Sequence, residues 1–443
     1  MKIRLSDHFT FRKLLRFTFP SMMMMVFVSI YGVVDGLFIS NCVGKTAFAA
    51  VNIVMPFIMM IGGIGAMLGT GGSALVAKTL GEGDHDRAHR YFTMMIQVMV
   101  LVGVFFSIVG MVFIRPVSIF LGADEALLPD CVLYGRTALA FNAALLMQYT
   151  FQSFLITAEK PKLGLWVTIL AGGTNIVLDA LFMVVFPWGV MGAALATGLS
   201  ECVGGVIPLC YFLSKRNQTS LRFVRTRWEV WSICKACGNG ASEMMSTISA
   251  SITGILYNRQ LMAYAGEDGV AAYGVIMYAS FLFIGIFTGF SNGSAPIVGY
   301  HYGAKNHAEL KNILRKSLTF VLFAGGVMMV SGSALAEPLA NIFVGYDRGL
   351  TQMTIHALRI CFVAFLIIGV NVYASSFFTA LNNGSVSAAI SFLRSLLLPV
   401  VTIIILPILF GLDGIWYSLP AGEALALFVS VAFLMTNRKK YQY

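Results

Sequence analysis

Residues 47–77, AFAAVNIVMPFIMMIGGIGAMLGTGGSALVA, and residues 270–300, VAAYGVIMYASFLFIGIFTGFSNGSAPIVGY, decide the fold. Neither run contains a charged side chain. A spanning helix needs about 20 mostly apolar residues, so each run is long enough to cross a bilayer. The two are also related to each other. Pairing residue n with residue n+222 matches Ala49 with Ala271, Ala50 with Ala272, Met55 with Met277, Gly63 with Gly285, Ile64 with Ile286, Gly71 with Gly293 and Val76 with Val298.

The register extends in both directions. Ser29/Ser251, Ile30/Ile252, Gly32/Gly254, Gly44/Gly266, Gly81/Gly303 and His85/His307 flank the runs. Pro116/Pro338, Ser153/Ser375, Thr157/Thr379, Ala158/Ala380, Gly189/Gly411, Gly192/Gly414 and Glu201/Glu423 continue it. A constant offset through loop glycines marks a duplication, not a chance likeness between apolar runs. Ten further apolar runs lie at 14–41, 92–114, 127–157, 163–186, 190–213, 236–265, 315–336, 350–381, 386–410 and 414–436. The reading is an all-α polytopic membrane protein with twelve transmembrane helices in two six-helix lobes. The first lobe is 1–213, a basic linker runs 214–235, and the second lobe is 236–443. An even helix count per half gives both halves one orientation, related by a pseudo-two-fold along the membrane normal, with a substrate site between them.

Composition agrees. The chain of 443 residues is 58% hydrophobic and 11% charged, where soluble domains carry about 25% charged residues. This excludes an ordinary soluble enzyme. The excess of 30 Lys+Arg over 20 Asp+Glu belongs to membrane orientation. With the N-terminus inside, 23 basic residues fall in inner segments, among them Lys2, Lys215 and Arg216, and only Lys45, Arg115 and Arg348 fall outside. Positive charge marks the cytoplasmic side, which places both termini there in the plasma membrane. Spread over six loops, these residues form no nucleic-acid surface. The partner expected is the lipid bilayer, with no nucleic acid.

Charged groups inside a membrane are costly and usually functional. Asp35, Asn175, Asp179 and Thr197 all lie about six to seven residues, roughly 10 Å, from the outer ends of their runs. Asn175 and Asp179 are four residues apart, on one helix face. Together they offer two carboxylates, an amide and a hydroxyl, hard oxygen groups for Na⁺ or a proton. Their +222 partners are Leu397, Val401 and Leu419, with Tyr257 opposite Asp35. The polar cluster therefore belongs to one half only. An ion pair of Asp179 with Arg136 is the structural alternative. Two carboxylates at one depth repel, which favours a shared proton. The coupling ion expected is H⁺, with Na⁺ second, and no cofactor.

Glu243, in the run 236–265, is a second candidate for contact with a cation. Met22 and Met25, in a run of four methionines, offer soft, adaptable surface. Pro20, Gly32 and Gly36 are candidate hinges in the first run. Glu201 and Glu423, being repeat partners, read as structural, with Arg394, Arg259 and Arg359 as candidate neutralising cations. Cys234 and Cys237 lack a second pair for a metal site. Gly44-Lys45-Thr46 lacks the upstream glycine of a phosphate loop.

Tyr31-Gly-Val-Val-Asp35-Gly, Phe38-Ile-Ser, Gly69-Thr-Gly-Gly-Ser-Ala-Leu-Val-Ala-Lys78 and Asn175-Ile-Val-Leu-Asp179 resemble the MATE (multidrug and toxic compound extrusion) family, in its prokaryotic DinF/MepA-like branch. The resemblance covers the whole chain. It implies a twelve-helix, two-lobed, monomeric antiporter, not an enzyme, whose partners are small organic cations: it expels cationic amphipathic drugs in exchange for H⁺ or Na⁺. It further implies that Asp35, Asn175, Asp179 and Thr197 match the cation site of the first lobe and that Gln152 lines it. Glu243 looks like a cavity carboxylate of many members, and Tyr31 joins Met22 and Met25 as a substrate contact. Some members carry an acidic residue in the tenth helix, whereas 350–381 has none. A lipid-linked glycan flippase of the wider superfamily is the alternative. It would need a cationic cavity for pyrophosphate, and the intramembrane carboxylates here argue against one.

Overall fold

The structure, a computed structural model, describes residues 3–214, 217 and 219–443, and of Lys45 only the backbone. Lys2, Lys215 and Arg216 lie outside the described residues, as does the Lys45 side chain. Twelve long helical segments follow one another among the described residues: α1 (Phe11–Val43), α2 (Lys45–Gly81), α3 (His85–Phe120), α4 (Leu128–Ala140 with Asn142–Thr157), α5 (Pro161–Val185), α6 (Gly189–Leu213), α7 (230–265), α8 (267–303), α9 (His307–Val344), α10 (Arg348–Phe362 with Phe365–Ala380), α11 (Gly384–Phe410) and α12 (Leu412–Tyr441). Helices α7 and α8 are two helices that meet at a kink at Gly266, where φ is 60° and ψ is −147°. This backbone is open to glycine and strained for any other residue. Its repeat partner Gly44, at φ 111°, separates α1 from α2.

Helix bounds repeat as the residues do. The spans of α2 and α8 coincide at an offset of 222, and α4 and α10 bend by 53° and 47° at matching places. Asp84 caps α3 by accepting from the Arg87 amide at 3.0 Å, and Asn306 caps α9 by accepting from the Glu309 amide at 3.1 Å. Short polar side chains at this position satisfy the free amides of a helix start.

Each lobe has its own apolar core. Phe92, Tyr134, Phe151 and Phe154 centre the first. Phe287, Phe290, Phe365 and Phe377 centre the second. Outward-facing apolar side chains such as Phe113, Val112, Phe323 and Phe428 remain exposed, as they must where the surroundings are lipid. The chain is a multi-pass membrane protein.

The lobes meet closely on the side that carries both termini. Gly71 of α2 lies against Ala236 and Gly240 of α7, so close that a Cβ there would stand 2.0 Å from the Ala236 carbonyl oxygen. Gly293 of α8, the repeat partner, takes Ser21 and Thr18 of α1. The segment before α1 crosses this face. The Leu5 amide donates to Glu159 at 2.9 Å, below the first lobe. The Phe9 amide donates to Glu309 at 2.9 Å, and Lys316 donates to the Phe9 carbonyl at 2.6 Å, on the second. The terminal face is thereby closed.

Candidate functional site

Three helices of the first lobe each present two polar side chains one turn apart. Helix α1 gives Tyr31 and Asp35, α5 gives Asn175 and Asp179, and α6 gives Thr197 and Glu201. Residues i and i+4 share a helix face, so all six converge where these helices pack. Irregular backbone lies at the same place. Residues Ile39–Val43 at the end of α1 and Ala180–Val185 directly after Asp179 form π turns, which widen a helix and often mark working sites.

The four residues chosen from the sequence come together. Asp179 is fully buried, Asn175 is 2% exposed and Asp35 8%. The carboxyl groups of Asp35 and Asp179 are adjacent, close enough for a hydrogen bond when one of them carries a proton. Asp35 Oδ1, both Asp179 oxygens, Asn175 Oδ1 and Nδ2 and Thr197 Oγ1 are buried without a protein hydrogen-bond partner. An unsatisfied buried polar group costs about 1–3 kcal/mol. A proton, a hard cation or ordered water among its oxygens would satisfy these groups, and the donor set fits a proton or a hard cation. It is not a transition-metal site: the described residues hold no group of three His, Cys, Asp or Glu. Arg136 is no partner for Asp179; it is exposed, and its Nε donates to the Met111 carbonyl.

Asp35, Asn175 and Thr197 line a cavity of about 370 Å³, while Asp179 sits behind the wall. The rest of the wall is aromatic and sulfur-rich: Tyr31, Tyr134, Tyr149, Tyr278, Phe281 and Met59. Toward the terminal face a second chamber of about 220 Å³ holds Glu243, Met25, Thr70 and Asn292. Gln152 and Tyr149 stand in both walls, so the chambers adjoin. Glu243 has no ion-pair partner among the described residues.

Met22 differs from its sequence-based expectation. It faces neither chamber and instead packs at the lobe interface, where its Cα meets Gly289. Pro20 and Gly36 lie within an unbroken α1, and Gly32 lines the cavity. Nothing stands within 4 Å of a Cβ at Gly32 or Gly36, so the helix has space around both.

Glu201, read from the sequence as structural, lies in the cavity wall. None of the ion pairs among the described residues involves it. Its repeat partner Glu423 is buried and fully paired. Arg394 Nε donates to its two oxygens at 2.9 and 3.0 Å, Arg394 Nη2 lies 2.9 Å from Oε1, and Asn371 donates at 2.8 Å. The signal was present in the repeat: Arg394 pairs with Gly172 at the offset of 222, so only one lobe has the arginine. The remaining positions diverge in the same sense. Opposite Asp35, Tyr257 shares a 2.7 Å hydrogen bond with Ser418 and stacks on Tyr273. Arg259 and Arg359 are exposed and take part in none of the ion pairs among the described residues.

Comparison with known proteins places these features in context. The family model described as MatE matches residues 20–181 and 235–405. The multidrug export protein MepA of Staphylococcus aureus (strain N315) is 21% identical over 435 residues, covering 97% of this chain and 94% of its own. The MepA of Staphylococcus saprophyticus is 22% identical, with the same coverage. Among solved structures, a MATE protein in the straight conformation superposes with TM-score 0.92 at 23% identity, covering 98% of this chain and 98% of its own. An outward-facing MATE family transporter superposes with TM-score 0.92 at 23% identity, covering 98% and 97%.

Proposed function

The chain belongs to the MATE family, and on that premise we propose that it is a secondary active antiporter exporting cationic amphipathic molecules in exchange for protons. The observation that carries this reading is the buried oxygen cluster of Asp35, Asn175, Asp179 and Thr197. It is present in one lobe only and adjoins an aromatic cavity. Export of drugs is what the names of the MepA relatives describe. The arrangement of charge supports the same class of cargo. Asp35, Glu201 and Glu243 face the two chambers, and no Lys or Arg lines either one. Such a wall attracts cations and repels the pyrophosphate of a lipid-linked glycan.

The lobes correspond to 1–213 and 236–443, joined through 214–235, with the terminal face cytoplasmic and the protein in the plasma membrane. The closed terminal face makes this an outward-facing arrangement. A proton entering from outside settles between Asp35 and Asp179. Neutralising the pair removes the repulsion that keeps α1 and α5 apart and weakens the hold on a cationic substrate, which leaves outward. Bending at Pro20, Gly32 or Gly36 lets α1 follow. Exchange of one proton for one monovalent cation moves no net charge, so at one-to-one coupling the pH gradient drives export, with about 1.4 kcal/mol and roughly tenfold accumulation per pH unit.

Adjacent carboxyls favour the proton over Na⁺. Sodium, held by the same four residues, is the second reading, because together they offer a hard-oxygen shell. Substrate efflux is measured with Na⁺ replaced by choline at a fixed proton gradient. Efflux should persist. Efflux that vanishes and returns with Na⁺ alone would overturn the proton assignment and leave the antiporter reading standing.

A further inference from the structure

The two lobes pose one problem and answer it differently. Each carries a glutamate on its last helix at the same repeat position, Glu201 on α6 and Glu423 on α12. In the second lobe the answer is internal. The planar fork of Arg394 lies against the carboxylate through Nε and Nη2, and the Asn371 amide completes the set. Guanidinium and carboxylate match in geometry as well as charge.

The first lobe has the same frame without the cation. At the position of Arg394 stands Gly172, and at that of Asn371 stands Tyr149. The space beside Gly172 is taken by the Tyr31 ring, whose Cδ1 would be 2.7 Å from a Cβ there. Tyr31, Tyr149 and Glu201 all belong to the wall of the 370 Å³ cavity. Where the second lobe puts an arginine against its glutamate, the first lobe has the Tyr31 ring over Gly172, and Glu201 shares a cavity wall with Tyr31 and Tyr149, whose aromatic faces attract cations.

We infer that Glu201 is the residue that selects the substrate's cationic head, which from the cavity plays the role of the Arg394 guanidinium and presents a planar fork of N–H donors to the Glu201 carboxylate. The preferred class is flat aromatic cations ending in an amidinium or guanidinium. Quaternary phosphonium or ammonium ions, which lack N–H donors, gain only the charge and the aromatic contacts. This inference rests on the antiporter reading and adds a residue and a substrate class to it.

The test uses the full-length protein in lipid nanodiscs and two probes, 4-phenylbenzamidinium and tetraphenylphosphonium, with binding measured by calorimetry. Glu201→Gln should weaken the amidinium by at least about tenfold, as loss of a charged fork pair does. It should weaken the phosphonium by less than about threefold, the scale of an unforked, partly solvated charge contact. Glu201→Asp should restore part of the preference, which a merely misfolded variant cannot do. The double variant Gly172→Arg/Tyr31→Ala, which installs the second lobe's solution in the first, should lose amidinium binding while remaining monodisperse. Wild-type affinity of Glu201→Gln for both probes, or equal weakening of both, would overturn the inference and leave the antiporter reading intact. Failure of the wild-type protein to bind either cation would overturn both.

Discussion

Glu201 and Glu423 occupy one position in a duplicated frame, and only Glu423 has its own counter-charge. The same contrast separates Asp35 from Tyr257, whose hydroxyl is bonded to Ser418 in a stacked aromatic pair. In the second lobe Glu423 and Tyr257 both have partners inside the protein. In the first, six polar atoms of Asp35, Asn175, Asp179 and Thr197 do not. Duplication preserves the architecture that both halves need. Where the copies part, one half has kept buried polar groups without a partner among the described residues, and that half is the one we propose carries the exchange.

The sharpest way to break this contrast is at Asp35. Asp35→Asn should abolish drug resistance in a sensitive host, with the protein at normal levels in the membrane. Wild-type resistance in that variant would remove Asp35 from the mechanism. The second lobe should respond in stability. Arg394→Met leaves a buried carboxylate unpaired and should cost about 3–5 kcal/mol, whereas Arg394→Met with Glu423→Leu should be close to neutral. Thermal unfolding in detergent measures both. Glu201→Gln, which unpairs nothing, should leave the unfolding temperature at or above that of the wild type. A large loss of stability in Glu201→Gln would make it structural, like its partner.

A smaller effect is expected at the lobe interface. Gly71→Ala places a methyl group 2.0 Å from the Ala236 carbonyl oxygen and against the Gly240 backbone, whereas the matching Gly293→Ala meets Ser21 and the Thr18 backbone at 3.1 Å, a tight approach that small shifts relieve. Gly71→Ala should therefore open the terminal face to a thiol reagent at a cysteine introduced at Thr70, and Gly293→Ala should do so far less. Equal labelling of the two would show that the close approach does not hold that face shut. The mildest effect belongs to Thr197→Ala, which removes one of several oxygens. Combined with Asp35→Asn it should add no further loss, because groups in one network are not additive. A further, independent drop would place Thr197 in a separate role.

Much of this organisation was legible before the structure. Apolar runs located all twelve helices, because lipid permits little else in a span. Their ends were less legible. Helix α3 covers His85–Phe120 where the apolar run covers 92–114, since its first turns are polar and stand clear of the hydrocarbon. Repeat comparison isolated Asp35, Asn175, Asp179 and Thr197, which the fold gathers at one place. It did not separate Glu201 from Glu423, because their identity was weighed without asking whether the counter-charge was also repeated. Met22 was misplaced for another reason. Its position depends on room provided by Gly289 in the other lobe, a contact that no local pattern encodes.

The central claim is that the first lobe alone handles the exchanged cation. Its most direct test is substrate accumulation in proteoliposomes under proton and sodium gradients imposed separately, comparing wild type, Asp35→Asn and the paired Arg394→Met/Glu423→Leu variant. The account predicts proton-driven flux in the wild type and in the paired second-lobe variant, and none in Asp35→Asn. Flux that survives in Asp35→Asn but disappears when the second lobe's pair is removed would contradict it.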